Sequence, residues 1–163
     1  MIEVHENLFE ITPTTDALVC TINRTLKRDG TLVMGKGVAK QFAAYWPHLP
    51  RAWGARVDHA KIVADILLGE LYRIGDEIHR ANKSDRMPLI GIGLPTKLDW
   101  RNPSVPELIV ESCEMMVGLV EVFGLKEIRM PPPGCGNGGL RWANVKPLLT
   151  NILDDRFVVC LPV

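Results

Sequence analysis

Much that would mark a protein at first sight is missing from this sequence. Charge of one sign is absent: 19 Lys and Arg stand against 19 Asp and Glu in 163 residues. Bulk attraction to nucleic acid is therefore excluded, while a local basic patch stays open. Long hydrophobic runs are absent too, and none approaches the ~20 residues that a membrane-crossing helix needs. At the N-terminus, Glu3, His5 and Glu6 break up the apolar positions, so nothing there reads as a signal peptide. Cysteine is scarce. Cys20, Cys113, Cys135 and Cys160 include no pair at metal-ligand spacing. Cys20 and Cys160 fall in strand-like runs and Cys113 on a helical face, which fits reduced, buried thiols in a cytoplasmic protein. The histidines at 5, 48, 59 and 79 are scattered, and no zinc or calcium pattern is present. The sequence therefore calls for no metal, no cofactor and no membrane partner. Its balanced charge and lack of an apolar tail fit a monomer.

Hydrophobic residues make up 47% and charged residues 23%, the profile of an ordinary globular protein. The length suits one domain, 1–163, with a substantial core. Strand-like runs appear at 1–9, 17–22, 62–68, 70–74, 89–94, 127–130 and 156–161. The run Ala17-Leu18-Val19-Cys20-Thr21-Ile22 is almost wholly apolar, as in a strand covered on both faces. Thr12 to Asp16 reads as a turn. Helical spacing begins at Gly37, with Val38, Phe42 and Tyr45 on one face, and Pro47 ends it. A second helix starts near Ser104, which can cap, with Pro106 in the first turn and Glu107 able to reach back. Ile109, Cys113, Met116, Val117 and Val120 form its apolar stripe, and Gly124 is its stop. A third helix covers 142–153, with Pro147 inside it set to disrupt or bend its first turns. Strands alternating with helices predict an α/β fold: a three-layer α/β/α sandwich around a mixed, mostly parallel sheet.

Two glycine-rich stretches carry the chemistry. One is Met34-Gly35-Lys36-Gly37-Val38-Ala39, at the start of a helix. The other, Met130 to Trp142, reads MPPPGCGNGGLRW and follows a short strand. Loops of this kind turn tightly and aim backbone N–H groups at an anion, usually a phosphate. Two of them suggest a diphosphate. The first also fits the opening of a P-loop from Gly30 to Lys36, but Gly37 replaces the hydroxyl residue that would hold magnesium. Lys97 follows the 89–94 strand, and Asn23 follows the 17–22 strand. In a parallel sheet both would reach the crevice at the carboxyl ends of the strands. A lysine is normally a solvated charge, but one that is partly desolvated can act as nucleophile or base. Asn23 suits a turn and sugar hydroxyls equally. Trp100 and Trp142 could stack on a ring, although packing is commoner. Cys135 fits a small packed residue better than a nucleophile.

Together these residues resemble the macrodomain family, the ADP-ribose-binding fold, over nearly the whole chain. Asn7, Leu8 and Phe9 resemble the segment that receives adenine. Thr21 and Asn23 resemble the strand end beside the distal ribose. Met34, Gly35, Lys36, Gly37, Val38 and Ala39 resemble the first ligand loop. Pro132, Gly134, Cys135, Gly136, Asn137, Gly138, Gly139 and Leu140, followed by Trp142, resemble the loop that clasps the diphosphate. Leu94-Pro95-Thr96-Lys97-Leu98-Asp99-Trp100 resembles the Pro-Thr-Lys-x-x-Trp motif of antitoxins that strip ADP-ribose from DNA bases. That resemblance implies an ADP-ribosyl glycohydrolase that cleaves at C1″ on DNA bases or protein, with Lys97 and Asn23 as catalytic residues. It also implies a partner that is ADP-ribose or an ADP-ribosylated macromolecule such as DNA. A related human enzyme has an acid where this chain has Gly138, which argues against a protein-glutamate substrate. A reader module without turnover and an ADP-ribose 1″-phosphate phosphatase remain as other readings. Arg24 to Gly30 looks like a basic insertion beside the crevice, and a solvated loop is its simplest reading.

Overall fold

The strand at Ala17–Ile22 has the bounds its apolar run predicts, and it lies inside a six-stranded sheet. The structure, a computed structural model, describes residues 1–57, 62–66, 71–74, 77–80 and 89–162. In chain order its elements are β1 (Ile2–Val4), β2 (Ala17–Ile22), α1 (Gly37–Tyr45), α2 (Leu49–Val57) and β3 (Val63–Ile66). There follow β4 (Leu71–Ile74), β5 (Glu77–Arg80), β6 (Ile90–Pro95), α3 (Pro106–Phe123), β7 (Ile128–Met130), α4 (Trp142–Leu149) and β8 (Phe157–Cys160). The sheet order is β1-β8-β7-β2-β6-β3. Every neighbouring pair is parallel except β3 with β6. β4 and β5 form a separate antiparallel hairpin.

Alternation along β2 shows why helices cover both faces. Leu18, Cys20 and Ile22 pack into one cluster with Phe42, Trp46, Leu49, Trp53 and Val57, from α1, α2 and their junction. Ala17 and Val19 point the other way, into a cluster with Ile109, Cys113, Met116 and Val120 of α3 and Val145 and Leu149 of α4. A period of two on the strand thus sorts one apolar run into two cores. The result is the mixed α/β/α sandwich that the sequence predicts.

Several bounds differ from expectation, each for a local reason. β1 stops at Val4 because Asn7 makes its own turn: its Oδ1 accepts the Phe9 N–H at 3.0 Å. Ser104 does not cap α3. Val105 holds the N-cap position without a side-chain bond, and Ser104 is buried instead. Gly124 closes that helix as expected. Pro147 is accommodated within α4, which starts at Trp142 and ends two residues past the proline, short of the expected 153. The helix α2 and the strand β5 went unread in the sequence. Residues 67, 68 and 70 of the expected strands, and His59, lie outside the described residues.

One carboxylate ties the 12–15 turn to the start of β7. Glu127 accepts the hydroxyls of Thr12, Thr14 and Thr15 at 2.9, 2.5 and 2.7 Å. Partial burial opposes its charge, but the three donors outweigh that and hold the carboxyl below its ordinary 4.5. A carboxyl lowered in the folded state adds stability above its unfolded value and loses it as pH falls through the folded one. Melting temperature should therefore drop below about pH 4.5. Glu127→Gln should show a smaller drop, followed by circular dichroism from pH 7 to 3. Part of the drop should survive, because Arg156 lowers Asp154 while Trp142 and Lys146 lower Glu3.

Candidate functional site

Because the inner strands are parallel, their carboxyl ends lie along one edge, and a crevice of about 1080 Å³ opens there. Ile22 and Asn23 leave β2, Thr96 and Lys97 leave β6, Pro131 and Pro132 leave β7, and Cys160 and Leu161 leave β8. All eight line the crevice. The rule that ligands bind outside the carboxyl ends of such a sheet is met, and the volume suits a ligand of drug size or larger, for which ~300–1,000 Å³ is usual.

Both glycine stretches arrive at this edge. Gly35, Lys36, Gly37, Val38 and Ala39 line it at the start of α1. No side chain caps that helix, with Lys36 extended at the N-cap. The first N–H groups of an α-helix have no partner within it, so they are available to an anion. Opposite them, Gly136–Gly138 forms a single 3-10 turn, bordered by Cys135 and Gly139. Its first amides are likewise unspent within the turn. The two stretches approach closely: a Cβ on Gly37 would lie 2.6 Å from Asn137 Nδ2. A larger residue at 37 would displace the Asn137 amide and strain a backbone that holds a φ of +57°.

Lys97 is partly exposed, and its Nζ donates to the Asn137 carbonyl at 2.6 Å. Its ammonium is thus held between the end of β6 and the second glycine turn. Asn23 Nδ2 donates to the Val33 carbonyl at 2.8 Å, and its Oδ1 accepts the Thr25 N–H at 2.9 Å. This asparagine straps the 24–33 loop in place. An amide has two donor hydrogens and two acceptor lone pairs, so one of each remains for a sugar. Burial pushes the Cys135 thiol up, and its Sγ lies 3.7 Å from the Pro133 carbonyl. That describes a packed thiol, not a thiolate nucleophile.

Asn7, Leu8 and Thr21 also line the crevice, as do Gly134, Cys135, Asn137 and Gly138. Three expected residues do not. Phe9 packs on Phe42 and Tyr45, with ring centroids 5.4 and 5.0 Å away. Met34 is buried in the same cluster, and Leu140 packs against the other. Phe9 and Met34 turn their side chains into the core, and Leu140 is half-buried.

The structure adds residues that the motifs did not indicate. Glu6 lines the crevice and pairs with Arg129, whose guanidinium is buried in the middle of the sheet. A charge within the short β7 run was the signal, since a buried arginine demands a partner. Ser104 also lines the crevice, buried, its backbone N–H on the Gly138 carbonyl at 2.9 Å. Trp100 and Arg101 stand at the rim. Trp142 lies elsewhere, donating to Glu3 at 2.7 Å. Among the described residues, no three His, Cys, Asp or Glu side chains gather as metal ligands. None of the described helices is long and apolar enough to cross a membrane.

No family model matches the sequence. A DNA ADP-ribosyl glycohydrolase of Thermus aquaticus is 32% identical over 143 residues, covering 85% of this chain and 34% of that protein. Its counterpart from Mycobacterium tuberculosis is 29% identical over 86% of this chain and 36% of its own length. The chain thus spans about a third of the curated relatives it matches. Among solved structures, the macrodomain of Thermus aquaticus DarG aligns over 99% of this chain and 97% of its own, with a TM-score of 0.73 and 28% identity. Thermosipho africanus DarTG, solved in complex with ADP-ribose, aligns over 99% of this chain and 41% of its own, with a TM-score of 0.75 and 21% identity.

Proposed function

The chain is a macrodomain, similar to those of DarG proteins, and we propose that it binds ADP-ribose and hydrolyses the C1″ bond joining it to a DNA base. One observation carries this reading. A lysine amine, the open start of α1 and a glycine turn converge on a single crevice. The two sets of backbone amides suit the two phosphates, and the Asn7–Leu8 end suits adenine. The distal ribose then falls beside Asn23, Lys36 and Lys97.

Hydrolysis there breaks the C1″–base bond, and the electron pair leaves with the base. The sugar carries positive charge on C1″ and its ring oxygen until water adds and gives up a proton. Asn23 orients the ribose with its free donor and acceptor. Lys97 either donates toward the departing base or, once deprotonated and off the Asn137 carbonyl, attacks C1″ as the base leaves, forming an N–C1″ bond that water then cleaves to free the amine. DNA is favoured over a glutamate side chain as acceptor because position 138 is glycine, where the related human enzyme carries an acid, and a Cβ there would lie 2.4 Å from Ser104 Oγ.

The bond from Lys97 to Asn137 also favours a second reading, a module that holds ADP-ribose without turnover. Calorimetry with ADP-ribose, ATP, NAD and AMP, together with release from an ADP-ribosylated thymidine oligonucleotide, separates the two. Selective ADP-ribose binding with release is the expected result. Binding without release on any acceptor leaves the reader, and preference for ATP would defeat both.

A further inference from the structure

Ser104 carries a hydroxyl that the resting crevice leaves without a partner. The residue is only 5% exposed, and among the described residues nothing bonds its Oγ. Most buried hydroxyls are paired, because an unpaired one costs free energy. The surrounding backbone holds this one in a defined place. The Ser104 N–H donates to the Gly138 carbonyl at 2.9 Å, and the Val105 N–H donates to the Thr96 carbonyl at 3.0 Å. Ser104 therefore sits between the end of β6 and the second glycine turn. A Cβ on Gly138 would lie 2.4 Å from its Oγ, and one on Gly134 would lie 3.2 Å from its Cβ.

Lys97 crosses the same gap. Thr96 and Gly138 are joined through the 104–105 backbone, and their immediate neighbours, Lys97 and Asn137, are joined directly, Nζ to carbonyl at 2.6 Å. The spare hydroxyl thus stands beside the one bond that the lysine chemistry disturbs. Among the described residues no second donor reaches the Asn137 carbonyl. An ammonium donating toward a departing base can keep that bond, since Nζ carries three hydrogens. An amine drawn to C1″ gives it up and leaves the carbonyl bare. Water can take the lysine's place while the crevice is empty. With a sugar and its base seated there, the replacement donor has to come from the protein.

From this arrangement we infer that Ser104 is a positioning residue for the lysine: its hydroxyl takes over the Asn137 carbonyl when Lys97 leaves it for C1″. The hydroxyl turns about χ1 and changes only its hydrogen-bonding; no proton or electron pair passes through it. One unpaired donor and one newly unpaired acceptor satisfy each other, so freeing the amine costs less than the bond it breaks. The inference deepens the proposed function and rests on it for the part Lys97 plays. It belongs to the route in which the amine attacks.

Ser104→Ala separates this task from one of holding the fold. The resting hydroxyl makes no bond, so its removal should leave the melting temperature unchanged or slightly higher. Single-turnover release from an ADP-ribosylated thymidine oligonucleotide should slow about five- to a hundredfold, the effect of one carbonyl left unpaired in the reacting state. KM and the calorimetric affinity for ADP-ribose should move far less than kcat. Ser104→Cys, whose thiol is a weak donor, should recover part of the rate. In a Lys97→Ala background Ser104→Ala should slow release no further, because the serine acts only through the lysine. An equal loss in both backgrounds would overturn the inference, as would rescue of Lys97→Ala by arginine. A fall in melting temperature and ADP-ribose affinity that matches the fall in rate would overturn it too, leaving a purely structural serine. If the unaltered protein releases nothing, the proposed function falls and this inference with it. If it releases ADP-ribose and Ser104→Ala keeps pace, the inference alone falls.

Discussion

Lys97→Ala should keep ADP-ribose bound and lose nearly all release of it from modified DNA. In the resting crevice the Lys97 ammonium makes one hydrogen bond, to the Asn137 carbonyl at 2.6 Å, in a partly exposed position. Water can replace that donor, so binding should weaken by no more than about tenfold, the value of one ordinary hydrogen bond of roughly 0.5–1.5 kcal/mol. The chemical step should lose about 10²- to 10⁴-fold, the usual share of a positioned acid, base or nucleophile. Lys97→Arg divides the two roles left open by the geometry. Arginine keeps the positive charge but cannot give up its proton in a protein. If the amine attacks C1″, arginine should fail as badly as alanine. If an ammonium steadies the departing base, arginine should restore part of the rate. Single-turnover release from an ADP-ribosylated oligonucleotide, beside calorimetry with ADP-ribose, reads both. Release by Lys97→Ala at the unaltered rate would remove the lysine from the mechanism.

How far the sequence could be read depended on whether local pattern and tertiary context agreed. β2 and α1 have the predicted bounds because their signals were undisturbed: an unbroken apolar run in one, helical spacing closed by a proline in the other. α2 was hidden although Leu49, Trp53 and Val57 keep helical spacing and are buried. Pro50 and Gly54 within it read as breakers. In the structure Pro50 sits in the first turn, where its missing N–H costs nothing. Gly54 is there to admit the Gly30 carbonyl. β5, Glu-Ile-His-Arg, is too short and polar to announce itself. Ser104 had the right residue type for a cap, and tertiary packing overrode it: the serine was needed under Gly138. The crevice edge followed from strand alternation alone, and with it the meeting of Asn23 and Lys97. Trp100 was visible as a candidate, but whether its ring lay in the core or on the rim depended on the loop beyond β6. Which residues of a ligand segment turn inward, as Phe9 and Met34 do, depends on cores built from distant elements.

The second glycine stretch shows the same limit, and it yields the largest expected loss of stability. The motif presents its glycines as equals, yet they answer to different demands. Gly134 and Gly139 share a positive φ of 77°. At Gly139 a Cβ would meet nothing within 4 Å. At Gly134 it would lie 2.6 Å from Ile109 Cδ1 and 2.9 Å from Leu140 Cδ1. Alanine at either position bears the left-handed backbone cost of about 1–2 kcal/mol. Only at 134 does overpacking add a further ~1–3 kcal/mol. Gly134→Ala should therefore lose about 2–5 kcal/mol, a large part of the ~5–15 kcal/mol that holds a typical domain together. At ~2–4 °C per kcal/mol for a chain of this size, its melting temperature should fall on the order of 10 °C, and that of Gly139→Ala by a few degrees. Calorimetric melting of both variants measures the difference. Trimming the opposing side chain, Ile109→Val in the Gly134→Ala background, should recover part of it, because the clash is with that methyl group. Equal losses in the two single variants would mean that backbone conformation, and not contact with α3, fixes where this turn sits over the crevice.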